Sequence, residues 1–126
     1  MQLKLVRNEE YNIFVLKGEL MRMNSRLFSQ KMIPYAEREP YMVIDLNAVD
    51  FMDSGGLSVL MELSNRLRER GYRLWLYRPN ADIRRVIHNT HVGHLFKITN
   101  DLDEILRSIR PLHVANTPVE NRAQAV

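Results

Sequence analysis

The 126-residue chain contains no cysteine. That excludes disulfide staples, thiolate nucleophiles and cysteine-based zinc sites, and it is ordinary for a reducing compartment. Also missing is any run approaching the roughly 20 consecutive apolar residues that a membrane span requires. The opening MQLKLVRNEE lacks the apolar heart of a secretory signal, so the expectation is a cytoplasmic protein without a membrane span. Charge of one sign is not in strong excess either. Lys and Arg number 18 against 15 Asp and Glu, a formal net charge of +3, and the two signs are interspersed, which reads as solvated surface.

What is present is the composition of an ordinary globular domain, 45% hydrophobic and 26% charged. The length leaves room for one core. Two short apolar runs, Leu3–Val6 and Ile13–Leu16, are separated by the turn-forming stretch Asn8–Asn12 and read as an antiparallel strand pair. Asn24-Ser25 then offers a helix cap before Leu27, Phe28, Met32 and Ile33, which share one helical face. Pro34 is expected to end or kink that helix, because an interior proline costs about 3 kcal/mol. YMVIDL, Tyr41–Leu46, is nearly continuous in its apolar character and suits a strand covered on both faces.

Leu57, Leu60, Leu63, Ser64 and Leu67 recur at helical spacing, with Gly71 as a stop. Leu74–Tyr77 reads as a strand, Ile83, Val86 and Ile87 as a helix behind Pro79-Asn80, and Leu95–Ile98 as a last strand. Asp101 with Glu104 resembles a capping box opening a helix through Leu102, Ile105, Leu106 and Ile109. The order β-β-α-β-α-β-α-β-α predicts a single α/β domain over residues 1–110, a mixed, mainly parallel sheet of about five strands with about four helices. From Pro111 to Val126 apolar residues thin out, and a flexible tail is expected.

The segment Phe51-Met52-Asp53-Ser54-Gly55-Gly56-Leu57 leaves a buried strand and enters a helix, at the sheet edge where α/β proteins usually meet ligands and partners. Phe51 and Met52 are expected to pin the loop to the core, and Gly55 and Gly56 to leave Ser54 exposed. A phosphoryl group on Ser54 would suit the helix start, where an anion gains roughly 0.3 to 1 kcal/mol. A partner packed over it would bury about 1.5 to 2 added negative charges beside Asp53 without a compensating cation. Asp and Ser before a helix are equally the favoured N-cap residues. Spacing alone leaves both readings standing.

Other constellations point to no chemistry. All four histidines follow Ser54, the wrong order for a trypsin-like protease, and Met52 replaces the first glycine of a nucleophile elbow. His88, His91 and His94 have no Cys, Asp or Glu among them to complete a metal site. Trp75 and Tyr77 share a strand face and read as sheet packing. Arg66, Arg68, Arg70 and Arg73 suit the negative end of a helix dipole. No catalytic residue, metal or cofactor is expected.

Leu16-Lys17-Gly18-Glu19-Leu20, Val43-Ile44-Asp45-Leu46 running on to Phe51-Met52-Asp53-Ser54-Gly55-Gly56-Leu57, and Val92-Gly93-His94-Leu95-Phe96-Lys97-Ile98 together resemble the STAS domain family, and within it the stand-alone anti-sigma factor antagonists. The resemblance implies a bacterial partner-switching phosphoprotein in the control of transcription. Unphosphorylated, it would bind an anti-sigma factor that is also a serine kinase, through Asp53, Ser54, Gly55, Gly56 and Leu57. The kinase would phosphorylate Ser54, and a serine phosphatase would reverse it; ATP would belong to the kinase. Two departures stand out. Met21 replaces an Asp that many relatives carry after Gly-Glu-Leu, and Gly55 replaces a second serine. The resemblance is equally compatible with a STAS scaffold in a stress-signalling complex or a regulatory subunit of a lipid ABC transporter.

Overall fold

Apolar residues two apart alternate along the chain with apolar residues three and four apart, and the backbone folds each kind into strand and helix in turn. In the computed structural model, residues 1–7, 12–109 and 122–125 are described, the last four by their backbone. In chain order these are β1 (Gln2–Arg7), β2 (Asn12–Leu20), α1 (Arg22–Arg38), β3 (Met42–Met52), α2 (Ser54–Glu69) and β4 (Leu74–Tyr77). Then come α3 (Ala81–Asn89), a 3-10 turn at Gly93–Leu95, β5 (Phe96–Thr99), α4 (Leu102–Ile109) and β6 (Arg122–Ala125).

The sheet order is β5-β4-β3-β2-β1-β6. β2, β3, β4 and β5 run parallel, β1 antiparallel to β2. The expected five strands and four helices are all present. β6 adds a sixth strand, antiparallel to the outer edge of β1, inside the stretch read as a tail. The turn assigned to Asn8–Asn12 falls, as far as residue 11, outside the described residues.

Alternation along β3 divides the protein into two cores. Met42, Ile44 and Leu46 face α1, α2 and α3, where Phe28, Met32, Leu57, Leu60, Leu63, Leu67, Ile83 and Ile87 are buried. Val43 faces the other way, with Trp75, Ile105 and Ile109 packed around it. Trp75 is therefore sheet packing, as its strand position predicts. Each fully buried Leu or Ile is worth about 1.5–3 kcal/mol, so α2, with four leucines inside, is anchored mainly by its apolar stripe.

Two helix boundaries differ from the sequence expectation. α1 begins at Arg22, ahead of Asn24-Ser25, and Asn24 acts from inside the first turn: its Oδ1 accepts from Met21 N at 2.9 Å while its Nδ2 donates to the Glu19 carbonyl at 2.7 Å. The helix also runs through Pro34 to Arg38. Buried Met32 and Ala36 flank the proline, and Tyr35 packs edge-on against Phe14 at 5.0 Å. Arg70 closes the far end by donating from Nη1 to the carbonyls of Ala36 and Glu39, both at 2.9 Å. Tertiary contacts on both sides of the proline outweigh its missing hydrogen bond.

At the other end of the chain, Asp101 caps α4 by accepting from Asp103 N at 2.9 Å. The reciprocal half of the expected box is not made with Glu104, because Thr99 Oγ1 takes the Asp101 N–H at 3.0 Å.

Pro34 is exposed and outside the core, so replacing it loses little packing. Pro34→Ala restores a donor to the helix at the cost of a freer unfolded chain, and a gain of about 1–2 kcal/mol is expected in urea denaturation. A lower midpoint would show that the ring itself holds α1.

Candidate functional site

β3 outruns its neighbour. β4 pairs with it only from Met42 to Asp45, whereas β2 follows it to Met52. Two register shifts, between Val15 and Lys17 and between Gly18 and Glu19 on β2, insert extra residues on β3. As a result Leu46, Val49 and Met52, three apart, all reach the same core. The sequence expectation ended the strand at Leu46 because the nearly continuous apolar run stops there. Phe51 was expected to pin the loop together with Met52. Only Met52 does so, at 2% exposure; Phe51 is 49% exposed and lines a groove against Ile83 and Val86 of α3.

The bulged part of β3 is braced from the β4–α3 loop. Arg78 Nη2 donates to Asp45 Oδ2 at 2.8 Å, and Asp45 Oδ1 accepts from Asn47 N at 3.0 Å across the first bulge. Asn80 Nδ2 donates to the Val49 carbonyl at 3.0 Å while its Oδ1 caps α3 at Ile83 N. The hydrogen bond to Asp45 raises the Arg78 pKa above its usual range, and Arg78 takes a left-handed backbone, φ 57°, to reach it. Sequence reasoning passed over this pair. A carboxylate inside the apolar run YMVIDL was the available signal, since a buried charge needs a partner.

At the end of β3, Asp53 holds two helix starts at once. Its Oδ1 accepts from Gly56 N, in the first turn of α2, and from Arg22 N, the first residue of α1, each at 3.0 Å; Oδ2 accepts from Arg22 N at 3.1 Å. The bond from Arg22 N, then that from Gly56 N, lowers the Asp53 pKa below its ordinary 3.8. Its own N–H donates to the Leu20 carbonyl at 3.3 Å. The two glycines make this junction possible. A Cβ built on Gly56 would fall 2.3 Å from the Leu20 oxygen, and one on Gly55 would fall 2.7 Å from Arg22 Cα. Gly18, on the same β2 segment, has φ +105°, which favours glycine.

Ser54 is the first residue of α2 and is exposed. Because the Asp53 side chain fills the N-cap role, the Ser54 hydroxyl is left without a hydrogen bond among the described residues; its carbonyl accepts from Ser58 Oγ at 2.8 Å. Around it lie Arg22, Ser25, Gly55, Ser58, Val59 and Glu62, lining a shallow groove between α1 and α2. The remaining predicted members behave differently from a contact surface. Gly56 is buried and Leu57, 3% exposed, belongs to the core, because the apolar stripe of α2 begins with it. Nor is the loop without a cation, as sequence neighbours suggested. Arg22 stands beside it, brought there by α1.

Three members of the basic cluster at the end of α2 have structural roles, while Arg68 is exposed. Arg66 pairs with Glu37 and Glu62, Arg70 caps α1, and Arg73 donates to the His94 carbonyl at 3.1 Å. Among the described residues no three His, Asp or Glu side chains come together to hold a metal. None of the helices in that set is long and apolar enough to cross a membrane.

The sequence model of the STAS domain matches residues 2–105. An anti-sigma factor antagonist from Mycobacterium paratuberculosis is 24% identical, with 83% of this chain and 94% of that one covered at a TM-score of 0.70. The anti-sigma factor antagonist SpoIIAA of Bacillus is similar in its unphosphorylated form, at 18% identity, 86% and 99% coverage and a TM-score of 0.61. So is part of the murine anion transporter Slc26a9, at 18% identity and a TM-score of 0.65 over 81% of this chain and 18% of that one. At these identities the likeness is one of fold.

Two outcomes test the junction. Gly56→Ala forces its new methyl against a carbonyl, and a loss of about 1–3 kcal/mol is expected in urea denaturation. The Asp53 carboxyl has a lower pKa folded than unfolded, so its contribution is complete above the ordinary carboxylate range and is lost as pH falls through the lowered value. The stability gap between wild type and Asp53→Asn should therefore be flat near neutrality and close on acidification below about pH 4. A pH-independent gap would contradict the assignment.

Proposed function

The chain belongs to the STAS domain family, and we propose that it serves there as an anti-sigma factor antagonist whose partner is chosen by the phosphorylation state of Ser54. Unphosphorylated, it binds an anti-sigma factor with serine kinase activity; phosphorylated, it lets go, and a serine phosphatase resets it. The kinase brings the ATP, and this chain supplies the accepting hydroxyl.

The observation that supports this reading most directly is that Ser54 has no structural task. A serine before a helix is ordinarily accounted for as its cap. Here Asp53 does the capping, and the serine hydroxyl stands exposed on the outside of a junction that is otherwise tightly built. A phosphoryl group can be added without displacing a hydrogen bond or a packed side chain. It brings about 1.5 to 2 negative charges to a spot that already has the Asp53 carboxylate, with Glu62 and a single cation, Arg22, in the groove, so a net negative excess remains. A protein docked over Ser54 would have to bury that excess. A charge left unpaired at an interface costs about 3 to 5 kcal/mol, a hundredfold or more in affinity.

The docking surface in this reading consists of what is accessible around Ser54: half-buried Asp53 and Gly55 beside it, Ser58 one turn on, and Arg22 and Ser25 of α1 across the groove. Gly56 and Leu57 shape the surface from beneath. Because the same fold occurs within an anion transporter, fold does not choose between a switch and a scaffold or transporter subunit; the idle hydroxyl favours the switch.

In pull-down and calorimetry with the kinase partner, Ser54→Ala is expected to bind within about threefold of wild type and to resist phosphorylation. Ser54→Asp should bind at least tenfold more weakly with an unchanged thermal midpoint, and the phosphoprotein about a hundredfold more weakly. Equal affinity of all three forms would defeat the proposal, as would an intact protein from cells that is never phosphorylated at residue 54.

A further inference from the structure

Arg22 is placed with unusual firmness for an exposed residue. Its backbone N–H is gripped by both Asp53 oxygens, and its Cα lies where Gly55 leaves no room for a side chain. The guanidinium itself makes no ion pair or hydrogen bond among the described residues, in contrast with Arg7, Arg66, Arg70, Arg73, Arg78, Arg84 and Arg85. It borders the same groove as the Ser54 hydroxyl. The neighbouring residue Met21, at the start of α1, brings no negative charge to compete for it.

We propose that the Arg22 guanidinium is the cation that takes up a phosphoryl group on Ser54, so that the modified loop is clasped by this chain's own α1. This rests on Ser54 being the phosphoacceptor. The charged groups lining the groove are two: Arg22 from α1 and Glu62 from α2, the latter already paired with Arg66 at 3.4 Å; Asp53 stands at the cap, next to Ser54 in the chain. Asp53 has its oxygens turned to backbone N–H groups, so the Arg22 guanidinium feels its charge without forming an ion pair with it and can turn to a stronger anion. A phosphate offers three acceptor oxygens and suits a planar guanidinium in two-point contact.

Charge counting shows why such a pair does not undo the switch. One guanidinium cannot cancel a near-dianion and the Asp53 carboxylate together, so the spot stays negative. Meanwhile the cation that an acidic partner group could have used is withdrawn. Arg22 thus deepens the contrast between the two states, by pairing in one and standing available in the other.

The test needs no partner. Phosphoserine is incorporated at position 54 during synthesis of the full chain, and its second ionisation is followed by phosphorus NMR in wild type, Arg22→Gln and Arg22→Lys. An adjacent cation favours the dianion, so the wild-type value should lie about half a unit to one unit below that of Arg22→Gln. Arg22→Lys should keep most of the shift, and about 0.5 M salt should shrink it. Equal values in wild type and Arg22→Gln would overturn the pairing. So would a wild-type value equal to that of a short phosphopeptide of the loop, a comparison that holds even if a variant folds poorly. A phosphoprotein that shows the shift but keeps its kinase partner would instead defeat the proposed function and leave the pairing standing.

Discussion

A single carboxylate holds the functional end of this protein together. Asp53 accepts from the first turn of α2 and from the first residue of α1, so two helices that follow different strands begin at one point. Each helix start has donors that its own backbone cannot satisfy, and one shared acceptor serves both. Everything nearby follows from the closeness this imposes: glycine at positions 55 and 56, the Leu20 carbonyl lying over the turn, and a β3 long enough to deliver Asp53 to the end of β2.

That economy releases the residue after it. Once the cap is filled by Asp53, Ser54 has neither a structural bond to make nor a cavity to fill, and its hydroxyl faces solvent on a rigid platform. Rigidity matters for a charge-based switch. A phosphate on a loose loop would move away from an approaching protein, whereas one fixed at the first residue of a well-packed helix has to be met, desolvated and paid for. In the proposed switch, regulation acts through surface charge alone, with both cores untouched.

The brace behind the site shows how the two faces of the sheet cooperate. Asp45 belongs to the α4 side of β3, yet by anchoring Arg78 and the Asn47 N–H it stabilises the bulge through which Leu46, Val49 and Met52 all turn to the α2 side. The left-handed backbone at Arg78 is the local cost of that reach.

Local pattern was enough for much of this. The leucine stripe of α2, the glycine stop at Gly71, the caps at Asn80 and Asp101, the central run Tyr41–Leu46 and the exposure of Ser54 are all written in neighbouring residues, because each depends on backbone geometry within one or two turns. What the sequence could not disclose involves partners about thirty residues away. The continuation of α1 through Pro34 depends on Phe14 and Arg70, and the full length of β3 depends on bulges that cancel its two-residue rhythm. Likewise, Phe51 lies outside while Met52 lies inside because packing, and not their common hydrophobicity, assigns their faces. Only the folded chain brings Arg22 to Ser54, since the electrostatics of that loop are set by distance in space and nothing in a linear reading measures it.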